Sequence, residues 1–480
     1  MDTMSFTSRI GRLSQIMVNV DALNTLARRL SPGAMITDPD LLQSYRQDWS
    51  FDPAAGTPIA VVRASTTADV QETLRFANSH NVPVIPRGAG TSVVGGSTAV
   101  DGAITLSLER MKSIRVDVSS RTAIVEPGAI TNDVKAVAAR EGLYYPPDPS
   151  SYEICSIGGN AATNAGGPCC IKYGVTSDYI LGMTVVLPDG SVAELGGKRI
   201  KDTPGLALTK LFVGSEGTLG VITELTLRLI PQPPTPHTLV AFFPLMADAV
   251  AAARDITSSI RPSELEILDN AAIKVAEEFL NMELDTDAGA LLIGRSDAGN
   301  GAETEMKLMS TLCEKHRATA TYATDDPHEG ELFIRPRYAV YEAFEQKGVV
   351  IGDDVAVPID RLPELTDGIA DIAKRYSTTI VSYTHAADEL THPVLNYPIG
   401  DVAAAESASA ARQEIYQLVS TLGGFAATEY GVGQDKRDRL SNSLDPVVSK
   451  LNRTIKNAVD PNNILNPRVL IPSSGSTDGI

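Results

Sequence analysis

The sequence is poor in cysteine and in positive charge, and both shortages narrow the range of functions. Only four cysteines, Cys155, Cys169, Cys170 and Cys313, occur among 480 residues. Their number and spacing do not form a disulfide framework and favour a reducing compartment. We interpret the adjacent pair Cys169-Cys170 as structural, with a redox or cofactor-linking role as the alternative. Acidic residues outnumber basic ones by 59 to 41, and the formal net charge of −18 argues against binding to nucleic acid or anionic lipid.

Long hydrophobic runs are also absent. No stretch approaches the roughly 18 apolar residues of a membrane-spanning helix, and the N-terminus lacks the apolar segment and cleavage site of a signal peptide. We therefore expect a cytoplasmic protein without a transmembrane segment, at most peripheral to a membrane. What the chain does have is length, and 43% of its 480 residues are hydrophobic. Such a chain is expected to form two or three domains that share a cleft large enough for a cofactor.

Alternating strand and helix patterns predict an α+β chain with two main parts. In the first part, strands are predicted at 58–62, 82–86, 103–106, 122–125 and 183–187, and helices at 67–74 and 131–141. The proline-rich stretch 231–234 predicts a stiff linker. After it, a strand at 239–243, a helix at 246–260 and further alternation predict a second sheet with helices on one face. A helix at 447–459 ends the pattern.

A glycine-rich segment directly follows the second predicted strand. It reads Pro86-Arg87-Gly88-Ala89-Gly90-Thr91-Ser92-Val93-Val94-Gly95-Gly96-Ser97. Backbone N–H groups in such a segment can turn inward and cradle a diphosphate, with the charge of Arg87 nearby. The segment is not the fingerprint of a Rossmann fold, because Val93 stands where the third glycine belongs and no helix pattern begins there. Taken alone, a glycine-rich hairpin explains it equally well.

Two later segments also combine tight turns with glycine and small hydroxyl residues. In the first of them the candidate binding residues are Pro147, Asp148, Pro149, Ser156, Gly158, Gly159, Asn160, Thr163, Asn164, Gly166, Gly167 and Gly174. In the second, which runs from 212 to 223, they are Glu216, Gly220, Val221 and Ile222.

In type, order and spacing, the three segments resemble the FAD-binding family that contains the glycolate oxidase flavoprotein subunit, D-lactate dehydrogenase and D-2-hydroxyglutarate dehydrogenase. The resemblance runs from about residue 40 to about residue 470. It implies an α+β fold of the vanillyl-alcohol-oxidase type, with a two-part FAD-binding domain and a ferredoxin-like substrate domain. Thr91 occupies the position of the flavin-linking histidine of covalent relatives, so non-covalent FAD is expected. Asn466, in a C-terminal stretch that also matches, is expected near the flavin.

The same resemblance gives the expected division of the chain. Residues 1–56 form an N-terminal segment, 57–232 the FAD-binding domain and 233–425 the substrate domain, and 426–480 complete the active site.

Two histidines, His385 and His392, lie between two predicted strands. On one regular strand, residues seven apart point to opposite faces, but a hairpin loop between them lets both imidazoles converge. Taken alone, such a pair is more often hydrogen-bonded structure than a metal ligand. In the family that the chain resembles, two histidines at this spacing and a later glutamate bind a metal. The resemblance therefore implies a divalent site of His385, His392 and Glu429, suited to zinc or manganese.

The resemblance also assigns residues to the chemistry and exposes departures from the family pattern. Arg337 matches an arginine that binds the substrate carboxylate, after a one-residue insertion that leaves Arg335 as the alternative. Lys436 matches another family position and is assigned a catalytic role on that basis. Tyr430 stands where the family has a histidine that acts as the catalytic base. The turn between the histidines departs from the family pattern at Ala387, Glu389 and Leu390.

The implied reaction is oxidation of a small 2-hydroxy acid, similar to glycolate, D-lactate or D-2-hydroxyglutarate, to the 2-oxo acid. The implied electron acceptor is not NAD but a quinone, an electron-transfer flavoprotein or an iron–sulfur subunit. Whether the chain is a monomer or a homodimer stays open. Because Tyr430 replaces the expected base, two alternatives also stay open: a flavoprotein for a different alcohol or phenol, and a catalytically silent electron-relay subunit.

Overall fold

The computed structural model describes residues 20–439 and 444–471. Parts of the predicted N-terminal and C-terminal segments, residues 1–19, 440–443 and 472–480, lie outside the described residues. The α-helices are Val20–Ala27, Pro39–Leu42, Thr67–His80, Thr131–Arg140, Ile157–Thr163, Cys170–Tyr173, Thr176–Tyr179, Leu208–Phe212, Met246–Ser259, Asn270–Leu280, Ala302–Lys315, Pro327–Lys347, Leu362–Tyr376, Val402–Thr421 and Pro446–Val459. Short 3₁₀ turns are Gln43–Tyr45, Gly299–Gly301 and Ile359–Arg361.

Two sheets and a short strand pair form the first part of the fold. The first sheet has the strand order Met35–Ile36, Ala60–Arg63, Ile104–Ser107, Val84–Arg87. The second has the order Ile114–Asp117, Thr122–Val125, Val221–Arg228, Ile180–Val186, Val192–Gly196. In the first sheet, Ile104–Ser107 pairs in parallel with both of its neighbours. Parallel strands end at the same sheet edge, and the glycine-rich segment begins at that edge, at the end of Val84–Arg87.

The second part is built on one large, mostly antiparallel sheet. Its strand order is Ala320–Thr324, His237–Phe243, Ala290–Ser296, Glu264–Asp269, Thr379–His385, Leu390–Tyr397, Val349–Gly352, and Val355–Ala356 also pairs with Leu390–Tyr397. The prediction of helices on one face only is wrong. Four helices, Met246–Ser259, Ala302–Lys315, Leu362–Tyr376 and Val402–Thr421, share one apolar core with the sheet, whereas Asn270–Leu280 and Pro327–Lys347 cover the opposite face. Strands such as His237–Phe243 are buried on both faces, which requires cover on both sides.

Local sequence explains several element boundaries. Helix Thr67–His80 begins with a capping box in which the side chains of Thr66 and Asp69 bond each other's backbone N–H groups. It continues past the predicted end until Asn81, whose φ of 51° is left-handed. The predicted linker is partly a strand, because Ile230–Pro231 pairs with Leu143–Tyr144. The chain is therefore held to the first part of the fold at this point.

The fold bears on the expectations about membrane-spanning helices and about the cysteines. Within the described ranges, no helix has both the length and the hydrophobicity required to cross a membrane. All four cysteines are free thiols. Burial raises the pKa of the Cys169 and Cys170 thiols, which keeps them in the unreactive protonated form and agrees with a structural role.

Candidate active site

The three glycine-rich segments and helix Pro327–Lys347, which covers one face of the large sheet, line a cavity of about 910 Å³. This volume lies within the range of ligand-binding cavities. The cavity is lined by the predicted residues Pro86, Arg87, Gly88, Ala89, Gly90, Thr91, Ser92, Gly96, Ser97, Asp148, Pro149, Ser156, Gly158, Gly159, Asn160, Thr163, Gly166, Glu216, Gly220, Val221, Ile222, Arg337, Glu429 and Tyr430. Six other predicted residues, Gly95, Pro147, Asn164, Gly167, Gly174 and Asn466, flank these segments without lining the cavity themselves.

The first segment forms a backbone cradle that excludes side chains. Gly90 has a φ of +77°, and a Cβ atom there would lie 2.2 Å from the Arg87 guanidinium. At Gly88, a Cβ atom would lie 2.2 Å from Ser156 Oγ in the second segment. The backbone N–H of Ala89 donates to that same hydroxyl at 3.2 Å. A side chain at either glycine would therefore push Arg87 or Ser156 aside, and the glycines leave the backbone open to close contact with a diphosphate.

Two buried polar side chains tie the third segment to its neighbours: Asn466 to the first segment and Glu216 to the C-terminal segment. Asn466 donates from its amide to the carbonyl oxygens of Gly96 and Glu216, each at 2.8 Å. The carboxylate of Glu216 accepts the backbone N–H groups of Val432 and Gly433, also at 2.8 Å each. Burial raises the pKa of Glu216 to about 6, although these two hydrogen bonds lower it. Asn466 thus holds the cradle together, and Glu216 holds the C-terminal segment against it.

The two histidines converge as predicted, but both lie in strands and not in the loop between them. Strands Thr379–His385 and Leu390–Tyr397 form a tight hairpin in which Tyr383 is opposite His392. The two imidazole Nε2 atoms are 3.3 Å apart. Glu429 Oε2 lies 3.0 Å from Nε2 of His392 and 3.6 Å from Nε2 of His385.

This arrangement fits a divalent metal ion. The ligand atoms of His385, His392 and Glu429 all lie within 4.8 Å of one another, and ligands of a tetrahedral zinc ion are about 3.3 Å apart. The other ring nitrogen of each histidine is already bonded: His385 Nδ1 lies 2.5 Å from Glu266 Oε1, and His392 Nδ1 lies 2.9 Å from the carbonyl oxygen of Asp353. These partners turn both Nε2 atoms toward Glu429, as second partners do around histidine-bound metals.

The local charge also favours a cation. Burial alone would lower the pKa of His385, but the charges and hydrogen bonds of Glu266 and Glu429 raise it to about 10. Burial alone would raise the pKa of Glu429, but the two histidines hold it well below its usual range. The carboxylates therefore attract positive charge to the imidazole pair, and either a proton or a divalent ion satisfies that attraction.

The backbone that carries Glu429 is held by Asp354, which the sequence analysis missed. Asp354 accepts the backbone N–H groups of residues 428, 429 and 430, at 2.5, 2.7 and 3.3 Å. Lys436 binds Asp354 and lies 2.8 Å from Asp353. Lys436 is buried in this ion network and is not among the residues that line the cavity. In this position Lys436 reaches the Glu429 backbone through Asp354, and its catalytic role stays a prediction.

Both Arg337 and the alternative, Arg335, line the cavity, but Arg337 is buried and Arg335 is only half-buried. Arg337 is buried, its Nε donates to Glu266 at 2.9 Å, and its guanidinium lies 3.7 Å from the ring centroid of Tyr383. Its Nη2 is buried and has no hydrogen-bond partner among the described residues. Arg335 instead donates twice to Glu342, at 2.6 Å each. An unpaired donor in a cavity suits an anionic ligand, so the geometry favours Arg337.

Tyr430 lines the cavity beside the histidine cluster. Its ring stacks on the ring of His392, with centroids 4.9 Å apart. Burial, together with the neighbouring Tyr341 and Tyr383, raises the pKa of Tyr430 well above its usual value. In the absence of a nearby cation the phenol is therefore protonated at neutral pH and donates a hydrogen bond.

The amino-acid sequence of this chain is similar to known protein families and to individual proteins. The sequence matches the FAD binding domain over residues 58–196 and the C-terminal domain of FAD linked oxidases over residues 232–470. Glycolate oxidase subunit GlcD of Bacillus subtilis (strain 168) is 36% identical over 414 residues, which cover 85% of this chain and 88% of that protein. D-lactate dehydrogenase of Anaerostipes hadrus is 30% identical, with 92% and 95% covered. The mitochondrial D-2-hydroxyglutarate dehydrogenase of Bos taurus is also 30% identical, with 97% and 86% covered.

Solved structures show the same fold at lower identity. A substrate-bound p-cresol methylhydroxylase superposes with a TM-score of 0.79 at 20% identity, over 95% of this chain and 98% of that one. Alkyldihydroxyacetonephosphate synthase gives a TM-score of 0.75 at 19% identity, over 94% and 85%. Both confirm the predicted fold class.

Proposed function

Because the chain belongs to the FAD-linked oxidases, we propose that it oxidises a small 2-hydroxy acid to the 2-oxo acid and passes the electrons to an acceptor other than NAD. Its relatives include proteins named for glycolate, D-lactate and D-2-hydroxyglutarate. One observation carries the proposal: the unpaired, buried Nη2 of Arg337 and the carboxylate of Glu429 face the cavity lined by the glycine-rich segments. A carboxylate-binding donor and a cluster of metal-ligand type therefore flank the same space.

The cradle of the three glycine-rich segments would hold FAD through backbone contacts. The glycines leave no side chain between the backbone and a diphosphate, and Arg87 adds positive charge beside it. Bound there, FAD would supply a hydride acceptor for the C2 hydrogen of the substrate. The protein's own contribution is to orient the acid and to neutralise its charge.

The candidate metal ligands lie where a bound ion would act on the substrate hydroxyl. His385, His392 and Glu429 would hold a divalent ion, zinc or manganese, whose positive charge lowers the pKa of an alcohol as it does that of water. Arg337 would hold the carboxylate at the same time. We keep Tyr430 as the candidate proton acceptor, because it lines the cavity next to Glu429.

Acid precipitation should release all of the FAD from the purified yellow protein. Thr91 has no ring nitrogen that could form a histidyl link to the flavin. The absorbance of supernatant and pellet separates the two cases. If flavin stays with the pellet, non-covalent binding is wrong, and Cys155, which lines the cavity, would be the first residue to replace, by serine.

We expect one divalent metal ion per chain. Metal binding must displace the proton that Glu266 and Glu429 favour on His385, whose pKa they raise to about 10, so metal occupancy should fall steadily as the pH is lowered. Elemental analysis of wild type and of a His385→Ala/His392→Ala double variant measures this. A matched control is His316→Ala, since the His316 imidazole lies 2.8 Å from the carboxylate of Asp255, away from the histidine cluster. Stoichiometric metal in the double variant would refute the ligand set, and a metal-free wild type would make the pair structural.

Arg337→Met should raise the dissociation constant for a 2-hydroxy acid by about 10- to 100-fold, the usual effect of losing a hydrogen bond to a charged group. Arg335→Met should change it little. Rapid-reaction titration of flavin reduction gives this constant for each variant. FAD content must be measured in parallel, because Arg337 also pairs with the buried Glu266. Equal effects of the two substitutions would contradict the assignment.

Anaerobic addition of a panel of 2-hydroxy acids, both enantiomers of each, tests the function itself. We expect at least one of them to bleach the flavin. Bleaching only by phenols or other alcohols would favour an altered substrate, for which the tyrosines around Tyr430 give a structural reason. If no donor bleaches a protein that contains flavin and metal, the chain would instead be an electron-relay subunit.

A further inference from the structure

A polar pair, Glu264 and Arg295, lies on the cavity wall beyond the residues already assigned. The two residues face each other in register on strands Glu264–Asp269 and Ala290–Ser296. Glu264 Oε1 lies 3.3 Å from Arg295 Nη1. Both side chains line the same cavity as the glycine-rich segments, yet neither has a part in the chemistry described above.

Each side chain of the pair has one polar atom that makes no hydrogen bond within the described residues. Arg295 Nε, a donor, and Glu264 Oε2, an acceptor, are buried and have no hydrogen-bond partner among the described residues. Buried polar atoms without partners cost free energy, and their occurrence at a cavity indicates a missing ligand group. The charge of Arg295 is already matched, because Glu331 lies 2.9 Å from its Nη2 on the other side. With two carboxylates around one guanidinium, the pair does not attract an anion.

The position of the pair relative to Arg337 sets the size of the ligand. Glu266, which binds Arg337, is two residues from Glu264 on the same strand. Residues two apart on a strand point to the same face, with Cα atoms about 6.7 Å apart. The pair and Glu266, the partner of Arg337, therefore lie on one face of the sheet, separated by about the length of a short carbon chain.

We propose that Glu264 and Arg295 form a subsite for a second polar group of the substrate, a neutral group that both donates and accepts hydrogen bonds. A hydroxyl or a carboxamide on the chain of the 2-hydroxy acid has this chemistry. The inference rests on the proposed function. A methyl end would leave both buried atoms unpaired, and a carboxylate end would meet Glu264 and Glu331.

Four five-carbon acids test the subsite because they differ only at the end remote from the 2-hydroxy acid. These are 2-hydroxypentanoate, 2,5-dihydroxypentanoate, 2-hydroxyglutaramate and 2-hydroxyglutarate, which end in methyl, hydroxyl, carboxamide and carboxylate. With the FAD-loaded protein, the hydroxyl or the carboxamide acid should bind at least about tenfold more tightly than the methyl acid. Flavin reduction gives this comparison, and binding of the matching 2-oxo acids, followed by the flavin spectrum, gives it without turnover.

The preference should disappear in a Glu264→Leu/Arg295→Met double variant and persist in Arg361→Met, which removes an arginine paired with Glu364 on the surface. Thermal unfolding and FAD content show whether the double variant is folded. If the double variant does not fold, the single variants Glu264→Gln and Arg295→Lys are measured in its place. Each should weaken the preference for the hydroxyl or carboxamide acid over the methyl acid. Equal binding of the methyl acid in wild type overturns the subsite while the proposed function stands. Tightest binding of 2-hydroxyglutarate also overturns it, in favour of an anion site. If no acid reduces the flavin and no 2-oxo acid binds, both proposals fail.

Discussion

Gly90→Val should give a protein that purifies without flavin. Gly90 has a φ of +77°, a conformation that a β-branched residue avoids at a cost of about 1–3 kcal/mol. Its Cβ would also lie 2.2 Å from Nη2 of Arg87, so the arginine must leave its position beside the diphosphate cradle. Either change prevents the close backbone approach on which binding of FAD depends. The measurement is the visible flavin absorbance relative to protein, after purification with added FAD.

Gly142→Val is the matched control, because it separates backbone strain from the loss of the cradle. Gly142 has a similar φ of +69°, but a Cβ atom there would have no neighbour within 4 Å. It follows helix Thr131–Arg140 and does not line the cavity. This variant should lose some thermal stability and keep its FAD. A yellow Gly90→Val protein with full flavin content would show that the first segment is not the diphosphate cradle.

The flavin segments could be predicted from sequence because the property that matters there is local. Close approach of backbone to a ligand needs glycine, and glycine is visible in the sequence. The same holds for the start of helix Thr67–His80, where Thr66 and Asp69 cap the first turn. Which face of the large sheet each helix covers is not local, since strands such as His237–Phe243 are apolar on both faces. That is why the prediction of helices on one face was wrong.

The supporting residues of the histidine cluster could not be predicted for the same reason. Glu266 lies 119 residues before His385, its hydrogen-bond partner. Lys436 was assigned a catalytic role because it matches a family position, whereas the fold places Asp353 and Asp354 around it. One pattern was available: in Glu264-Leu265-Glu266-Ile267 the acids alternate with apolar residues, which puts both glutamates on one face of a strand. Only the assembled sheet shows that this face borders a cavity.

Tyr430→Phe should slow flavin reduction by a 2-hydroxy acid about a hundredfold or more, the usual effect of losing a general base. Tyr430 lines the cavity, follows the candidate metal ligand Glu429 and stacks on His392. Burial and its tyrosine neighbours keep the phenol protonated, so it can accept a proton only if a positive charge beside it lowers its pKa. A divalent ion at Glu429 would provide that charge. Metal-depleted wild type should therefore be at least as slow as the Phe variant, and metal depletion should slow the Phe variant further, because the ion also acts on the substrate hydroxyl.

Two further substitutions make this result decisive. Tyr341→Phe removes a hydroxyl from a neighbouring tyrosine that also lines the cavity, and it should change the rate far less than Tyr430→Phe. Tyr430→His places an imidazole, with an ordinary pKa near 6.5, at the same position, and it should sustain reduction at neutral pH. Stopped-flow reduction by the same acids compares all four proteins. An unchanged rate in Tyr430→Phe would eliminate the tyrosine as the base. Activity that appears only in Tyr430→His would mean that oxidation of 2-hydroxy acids was lost from this chain at that single position.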